Sequence, residues 1–398
     1  MKSAKISPSG SALTPIPGFR MPAEWAPHES TWLAWPHFHS DWPGKFDPIL
    51  WVYAEIIRNL SRHERVDLIV NDAHSEKRAR KSLQLANALN NRVRFHRWPT
   101  NRVWTRDSGC TFVLGAGAPA RDSSKTTRQQ RGTAVPTRLP RAQSKDRAER
   151  SSAPLQAIKW RFNAWAKYPN YRLDDKIGSL MANSARAEEI HALYRDIRVV
   201  LEGGSIEVNG EGTLLTTEEC LLSKIQQRNP GFRHEDYERV FATYLGITQV
   251  IWLGQGITGD DTHGHVDDLT RFVAPDTIVT VIESNPKDKN YAPLQENLRR
   301  LKSATNQDGK PFEIVELPVP APVVFEGRRL PATYGNFYIA NRSVLVPVFN
   351  DPKDRIALNI LADLFPTRQI VPIYSGDLVW GFGTLHCVTQ QQPATSPD

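Results

Sequence analysis

The chain has 398 residues, of which 40% are apolar and 23% are charged, and these values are typical of a globular protein. They exclude a wholly disordered or fibrous chain, and no apolar run approaches the ~18 residues of a membrane-spanning helix. The three cysteines, Cys110, Cys220 and Cys387, form no CxxC pair, so we expect neither a disulfide scaffold nor a cysteine zinc site. Residues 1–19 contain no apolar signal-peptide segment, which favours a cytoplasmic protein.

The net charge of +7 is concentrated in one segment. Residues 116–154 contain nine Lys/Arg and three Asp/Glu, which leaves a net charge of only +1 for the other 359 residues. The segment also lacks Phe, Trp and Tyr, so we predict a disordered basic insertion. Because the rest of the chain is nearly neutral, we expect neither nucleic acid nor a membrane as a partner. A polyanion-binding role of the insertion itself is left open.

Helical and strand patterns alternate along the rest of the chain and predict an α/β fold. The predicted elements, in chain order, are a helix over Asp47–Arg62, a strand over Val66–Val70, a helix over His234–Leu245 that stops at Gly246, strands over Gln249–Leu253 and Thr277–Ile282, a helix near Pro293–Ser303, strands over Glu313–Leu317 and Tyr338–Phe349, a helix near Ile356–Leu364 and a strand over Gln369–Ile373. No internal repeat or composition shift is evident. We therefore predict a single domain over residues 1–398, interrupted by the insertion.

Four glycine-containing segments carry polar side chains next to predicted strands. They are Trp104–Gly109 (WTRDSG), Leu201–Gly204 (LEGG), Gly259–Asp268 (GDDTHGHVDD) and Gly381–Cys387 (GFGTLHC). Loops at strand ends often bring such side chains into one cleft. None of the segments matches a dinucleotide or phosphate-binding glycine motif, so no nucleotide cofactor is expected.

Cys387 is the candidate nucleophile, because a thiolate attacks carbon readily and its surroundings can lower the pKa of a thiol below about 8.5. His386 stands beside it, and Gly381 and Gly383 would let a substrate approach the backbone. The competing interpretation is a buried cysteine that behaves as a small apolar residue.

The segment around His265 supports two hypotheses. His265 and Asp267 stand two residues apart, so in an extended segment both side chains would face one cleft, where histidine could transfer protons. A solvated surface loop is the alternative without catalysis. The histidines and carboxylates of this segment are also spaced like the ligands of a metal-dependent hydrolase: Asp260, Asp261, His263, His265, Asp267 and Asp268. No second histidine cluster completes such a centre, which weakens the metal-dependent hypothesis but leaves it open.

Asp107, Glu202 and Asp267 supply carboxylates from three of the glycine-containing segments, and buried carboxylates need a cation. A guanidinium fits, because it is planar, permanently charged and able to bind carboxylates in a bidentate manner. Trp104 could stack on it. The structural alternatives are an Asp107–Arg106 ion pair and core packing of Trp104. Together these residues predict a cysteine that attacks the central carbon of a guanidinium.

Six segments in chain order resemble the agmatine deiminase family, whose members are also described as peptidyl-arginine deiminase-like. They are Met21–His37 (MPAEWAPHESTWLAWPH), Trp104–Gly109 (WTRDSG), Leu201–Leu222 (LEGGSIEVNGEGTLLTTEECLL), Gly259–Val273 (GDDTHGHVDDLTRFV), Tyr334–Phe349 (YGNFYIANRSVLVPVF) and Leu385–Pro393 (LHCVTQQQP). The resemblance implies a pentein fold, a five-bladed α/β propeller with pseudo-fivefold symmetry. It also implies the metal-free hydrolysis of agmatine to N-carbamoylputrescine and ammonia, a step towards putrescine.

The resemblance further implies a role for each motif residue. Cys387 would form a covalent amidino intermediate, and His265 would protonate the departing ammonia and then activate water. Asp107 and Asp267 would hold the guanidinium nitrogens, and Glu202 would orient His265.

The chain departs from the family pattern at three positions, which leaves the substrate open. Cys110 replaces a usual proline, Phe382 replaces the middle glycine of a GGG run, and His263 stands where many members have a carboxylate. Arginine, peptidyl-arginine or another alkylguanidine is the alternative to agmatine, although no arginine for a substrate α-carboxylate is evident. The expected partner is a small cationic guanidino compound, and a homo-oligomer is left open. A non-enzymatic protein that binds polyanions through the insertion is the remaining hypothesis.

Overall fold

A computed structural model describes residues 18–115 and 154–395, in which helices and strands alternate. The α-helices are α1 (Phe46–Leu60), α2 (Ala73–Leu85), α3 (Thr105–Ser108), α4 (Ile177–Ala185), α5 (Glu218–Leu222), α6 (His234–Leu245), α7 (Tyr291–Ser303) and α8 (Lys353–Leu364). The strands are β1 (Phe19–Arg20), β2 (His28–Ala34), β3 (Arg65–Val70), β4 (Val93–Arg97), β5 (Thr111–Gly115), β6 (Leu155–Lys159), β7 (Glu188–His191), β8 (Leu193–Tyr194), β9 (Ile197–Arg198), β10 (Glu207–Val208), β11 (Thr213–Thr217), β12 (Gln249–Leu253), β13 (Thr270–Ala274), β14 (Thr277–Ile282), β15 (Glu313–Pro318), β16 (Val324–Phe325), β17 (Arg328–Arg329), β18 (Tyr338–Ile339), β19 (Ser343–Val348), β20 (Gln369–Tyr374) and β21 (Gln390–Pro393). The predicted α/β class is confirmed.

Local sequence signals explain where several elements begin and end. In α1 the apolar side chains at helical spacing, among them Ile49, Tyr53 and Ile57, are buried against the sheet that contains β3. Helix α6 ends at Gly246, whose φ of 73° is the left-handed conformation that glycine adopts at little cost.

Five sheets share one pairing pattern. Their strand orders are β21-β2-β3-β4, β1-β5-β6-β7, β10-β11-β12, β13-β14-β15 and β18-β19-β20. In each sheet an antiparallel pair is followed by a parallel pair whose connection contains a helix, as in β13, β14, α7 and β15. No internal repeat is evident in the amino-acid sequence, but the strand-pairing pattern occurs five times in the described residues. Strand pairing can recur in this way while the side chains diverge.

One predicted strand is wrong. Tyr338–Phe349 is not continuous but forms the hairpin β18–β19, in which Tyr338 pairs with Leu345 and Ile339 pairs with Val344. The backbone nitrogen of Ala340 donates to the carbonyl of Ser343 at 2.8 Å and closes the turn. The apolar residues on both sides made the two short strands look like one.

The predicted insertion at 116–154 lies outside the described residues except for its last residue, Pro154. The flanking strands β5 and β6 pair in antiparallel register, and the nitrogen of Gly115 donates to the carbonyl of Pro154 at 3.0 Å. The two ends of the insertion therefore meet at one end of a hairpin. None of the helices in the described residues has the length and apolarity to cross a membrane.

Candidate active site

Each of the five sheets contributes one loop to a common site. The loop always precedes the strand that forms the antiparallel pair: Asp107 before β5, Glu202 before β10, Asp267 before β13, Asn336 before β18 and Cys387 before β21. All five side chains are buried. The repeated topology explains how residues almost 300 positions apart in the chain come together.

A cavity of about 320 Å³ leads to Cys387. Its walls are rich in aromatic and acidic side chains: Phe38, Asp41, Trp104, Asp107, Trp165, Tyr168, Asp261 and Phe382. This composition favours a flat, cationic ligand. One arginine, Arg102, also lines the cavity.

Cys387 lines this cavity, and the residue is 5% exposed. Its Sγ is 3.2 Å from Asn336 Nδ2 and 3.9 Å from Asp267 Oδ2. Burial raises the pKa of Cys387 well above that of an ordinary thiol, and the nearby Asp267 adds to the effect. Cys387 is therefore a thiol rather than a thiolate when the cavity holds no cation.

Gly383 allows the nucleophile loop to approach its neighbours closely. A methyl group at this position would stand 2.8 Å from Trp104 Cζ3 and 3.0 Å from Cys387 Cβ. Any larger residue at position 383 would displace the nucleophile or the indole, so the packing of the site requires glycine here. The approach of a substrate to this backbone stays a prediction.

His265 lies among three carboxylates without a hydrogen bond to any of them. Its Nδ1 is 3.8 Å from Asp107 Oδ1 and 4.0 Å from Asp267 Oδ1, and its Nε2 is 3.8 Å from Glu202 Oε2. Burial alone would lower the pKa of His265, but the charge of Asp107 and the contact with Glu202 outweigh it and hold the pKa well above its ordinary value. The surroundings therefore favour the protonated form of His265.

His265 and Asp267 converge for a different reason from the predicted one. Val266–Asp268 form a turn of 3-10 helix, not an extended segment, and both side chains are buried. The surface-loop alternative is therefore wrong. Both side chains reach the same site, where His265 Nδ1 lies 4.0 Å from Asp267 Oδ1.

Asp107 does not pair with Arg106. Its Oδ1 accepts from the backbone nitrogen of Gly204 at 3.0 Å, and its Oδ2 accepts from Trp165 Nε1 at 2.9 Å. Arg106 instead donates to Glu24 at 3.1 Å. Burial raises the pKa of Asp107, and the nearby charge of His265 offsets this only in part.

Glu202 is held by a buried arginine that sequence reasoning missed. Arg228 Nε lies 3.1 Å and 3.2 Å from the two oxygens of Glu202, and both side chains are fully buried. Burial would raise the pKa of Glu202, but Arg228 and His265 hold it below its ordinary value. Arg228 lies in a loop 26 residues after Glu202 in the chain, and no sequence motif marks it.

Asn336 is the second missed residue, and here a signal existed. Its Nδ2 donates to Asp268 Oδ1 at 3.0 Å as well as contacting Cys387, and its Oδ1 accepts from Thr384 Oγ1 at 2.8 Å. It lies in a glycine-containing segment, YGNF, immediately before a strand, like the four segments that were selected. Burial, and then the charge of Asp267, raise the pKa of Asp268 well above its ordinary value.

Of the three departures from the family pattern, only Phe382 lines the cavity. Its φ is 68°, and the guanidinium of Arg328 lies 4.1 Å from the centre of its ring. His263 faces a separate groove, where its Nε2 is 3.0 Å from Ser223 Oγ. Cys110 is buried in an apolar cluster. Trp104 also belongs to that cluster, so it combines core packing with a place in the cavity wall.

The structure does not bring together the histidines of the metal hypothesis. Among the described residues, two buried groups have metal-ligand spacing, Glu202–Cys220–His265 and Asp267–Asp268–Cys387, and neither includes His263. In the first group Arg228 already neutralises Glu202. The arrangement offers carboxylates, a thiol and an imidazolium around a space fit for a planar cation.

Residues 20–393 match the sequence model of the Porphyromonas-type peptidyl-arginine deiminases. The chain belongs to this family. An agmatine deiminase of Pseudomonas fluorescens is 32% identical over 400 aligned residues, which cover 95% of this chain and 96% of the relative.

Solved structures of the family give the same result. The agmatine deiminase of Enterococcus faecalis is 27% identical, with a TM-score of 0.79 over 95% of this chain and 97% of that one. An agmatine deiminase of C. jejuni, solved with substrate bound, is 28% identical, with a TM-score of 0.75 over 94% and 96% of the two chains. The family resemblance stated from six motifs is confirmed.

Proposed function

We propose that the protein is a deiminase that hydrolyses agmatine to N-carbamoylputrescine and ammonia. The observation that carries the proposal is that Cys387 lines a cavity and lies close to Asp267 and Asp268, in a site with four buried carboxylates: Asp107, Glu202, Asp267 and Asp268 (the carboxylate ring). Such a concentration of acidic groups calls for a cation. A guanidinium supplies both the charge and the electrophilic carbon, and similar proteins are agmatine deiminases.

In this proposal the substrate itself activates the nucleophile. A bound guanidinium would offset the charge of Asp107 and Asp267, which hold the pKa of Cys387 high. The thiol then loses its proton to solvent in the cavity more easily, and the resulting thiolate attacks the guanidinium carbon. Trp104 lies where it can stack on the planar group.

His265 moves protons in both halves of the reaction. As an imidazolium it donates a proton to the departing nitrogen, so that ammonia leaves and an amidino-thioether forms on Cys387. The neutral imidazole then removes a proton from water, which attacks the same carbon. Breakage of the C–S bond releases the carbamoyl product and a thiolate. The hydroxyl proton of the intermediate passes to this sulfur, which restores the Cys387 thiol. Glu202, fixed by Arg228, steadies the charged imidazole throughout.

The outer part of the cavity favours an amine tail over an α-carboxylate. Asp41 lines it, and its Oδ2 is buried without a partner among the described residues. Arg102 has its donors directed to Asn170 Oδ1 at 3.1 Å and Asp41 Oδ1 at 3.4 Å, and its guanidinium stacks 4.2 Å from the centre of the Tyr168 ring. A substrate carboxylate would have to displace these contacts, whereas an ammonium would pair with Asp41 directly.

We also propose that residues 1–398 form one catalytic domain in which the five sheets are the blades of a pentein propeller. The support is that each sheet supplies one loop to the site and that all five share one pairing pattern. A pseudo-fivefold arrangement would bring five equivalent loops to one axis.

The deciding experiment is ammonia release from agmatine, arginine and a peptidyl-arginine in parallel, with and without a chelator. We expect release from agmatine, unaffected by the chelator and abolished by Cys387→Ala. Cys110→Ala is the matched control, because Cys110 is an equally buried cysteine that does not line the cavity. Chelator-sensitive turnover would favour the metal-dependent alternative, and preference for arginine would keep the mechanism and change the substrate.

A further inference from the structure

A layer of fully buried charges lies directly beneath the carboxylate ring. It consists of Glu24, Arg106, Glu207, Arg271 and His386 (the buried layer). None of these side chains is part of the proposed chemistry. One of them, His386, also contacts the ring, so it links the two.

His386 lies between two carboxylates. Its Nδ1 is 2.6 Å from Asp267 Oδ2 and its Nε2 is 2.7 Å from Glu24 Oε2, and the side chain is 1% exposed. An ionised carboxylate oxygen only accepts hydrogen bonds, so both ring nitrogens must donate if both carboxylates are charged. The geometry is therefore that of an imidazolium between two anions.

The surroundings keep both carboxylates ionised. Burial would raise the pKa of Glu24, but Arg271, His386 and Arg106 hold it well below its ordinary value. Burial would likewise raise the pKa of Asp267, and the hydrogen bond from His386 lowers it below its ordinary value. The titratable and charged groups around His386 are Glu24, Asp267, Arg106, Arg271, Glu207 and Tyr338.

The contact with His386 gives the two carboxylate oxygens of Asp267 different surroundings. Oδ2 is occupied by His386, whereas Oδ1 is buried without a partner among the described residues. Oδ1 is the oxygen that faces His265, at 4.0 Å from its Nδ1. A rotation of the carboxylate would break the His386 contact, so the free oxygen is fixed towards the site.

We propose that His386, supported by Glu24, is a positioning residue that keeps Asp267 ionised and turned towards the guanidinium. The proposal rests on the proposed function, because Asp267 is taken as a ligand of the substrate. It assigns no proton transfer to His386. Its effect on turnover passes through Asp267 alone.

Two substitutions separate the two contacts of His386. In His386→Asn the side-chain amide is at the level of Nδ1 and can still donate to Asp267. In His386→Gln the amide reaches the level of Nε2, so the donor to Asp267 is lost while the contact with Glu24 is kept. Loss of a hydrogen bond to a charged group corresponds to roughly a tenfold to hundredfold change. We expect that increase in KM for agmatine in His386→Gln and a much smaller one in His386→Asn.

The pH profile tests the charge of Asp267. Without the donor of His386, the pKa of Asp267 rises, so the acidic limb of kcat/KM in His386→Gln should move to higher pH. His386→Asn should stay closer to the parent protein. Equal losses in both variants with an unchanged acidic limb would mean that His386 only fills space, and parent-like kinetics in both would mean that Asp267 needs no support. Either result overturns the proposal.

A measurement without turnover keeps this proposal separate from the proposed function. In protein labelled with ¹⁵N-histidine, His386 should show both ring nitrogens protonated, as its contacts with two carboxylates require, and His386→Asn assigns the signal by its absence. A neutral imidazole would overturn the proposal even if agmatine is turned over. A parent protein that releases no ammonia from agmatine, but shows the doubly protonated ring, would refute the proposed function instead.

Discussion

The carboxylate ring and the buried layer are equally hidden from solvent, but their charges are satisfied differently. In the buried layer, Glu24 Oε1 accepts from Arg271 at 2.9 Å and from the backbone of Ile339 at 2.8 Å, and Oε2 accepts from Arg106 at 3.1 Å and His386 at 2.7 Å. In the ring, Asp267 Oδ1 has no hydrogen-bond partner within the described ranges, and neither nitrogen of the neighbouring His265 has one.

The difference separates stability from function. A buried charge with all its partners holds the fold together, whereas a buried charge without one costs free energy until a ligand supplies the partner. We therefore expect substitutions in the ring to reduce turnover and substitutions in the layer to reduce stability, with His386 as the exception because it contacts Asp267 of the ring. The predictions below test this division.

Apart from loss of the Cys387 nucleophile itself, the largest effect on turnover should come from a methyl group placed inside the ring. A Cβ atom added to Gly204 would lie 2.5 Å from His265 Nδ1 and 3.0 Å from Asp107 Oδ1. Gly204→Ala should lower kcat/KM by about 10²-fold or more, because the imidazole or the carboxylate must move. Ammonia release from agmatine measures it. The control is Gly254→Ala, where the nearest atom would be 3.4 Å away; equal losses in both variants would contradict the prediction.

The next largest effect should be on stability. Glu24→Gln leaves Arg106 without its anion and Arg271 with Glu207 alone, and removing one partner of a buried ion pair costs about 3–5 kcal/mol. Denaturant titration measures the free energy of unfolding. Glu29→Gln is the matched control, because Glu29 pairs with Arg65 at the surface and should change stability by less than about 1 kcal/mol. If both variants unfold at the same denaturant concentration, the buried layer does not stabilise the fold as argued.

A smaller effect should appear at Asp41. Burial raises the pKa of Asp41 to about 6, so the carboxylate is ionised above that pH and loses its charge below it. KM for agmatine should therefore rise as the pH falls through about 6. Asp41→Asn should remove this pH dependence and raise KM roughly tenfold at neutral pH. Butylguanidine, which lacks the amine, is the control substrate: a similar loss with it would show that Asp41 does not recognise the tail.

The sequence allowed most of the site to be predicted, for a chemical reason. Cys387, His265, Asp107, Asp267 and Glu202 belong to residue types with distinctive reactivity in glycine-containing loops, and the structure brings all of them together. Periodicity likewise predicted four of the eight α-helices in the described residues (α1, α6, α7 and α8) and five of the strands (β3, β12, β14, β15 and β20), because burial of one face leaves a regular pattern.

What the sequence could not predict depends on contacts between distant segments. Arg228 and Trp165 bind the site carboxylates from loops without a motif, and Glu24 meets His386 across 362 positions. The fivefold repetition of pairing is also invisible in the sequence, because backbone hydrogen bonds do not constrain side-chain identity. Asn336 alone could have been found, from the position of its loop before a strand.

The smallest effect is expected at the basic insertion, a region outside both the ring and the layer. Its ends meet at Gly115 and Pro154, and the strand from Thr111 to Gly115 carries them about 13 Å further from Asp107 at 3.3 Å per residue. Replacing residues 116–153 with Asn-Gly, a two-residue hairpin turn, should change kcat/KM for agmatine less than about twofold. Elution from heparin should shift to lower salt, because the replacement removes nine of the Lys/Arg residues. A tenfold loss of turnover would instead make the insertion part of the catalytic unit, and unchanged heparin elution would locate the polyanion-binding charge in the body of the protein.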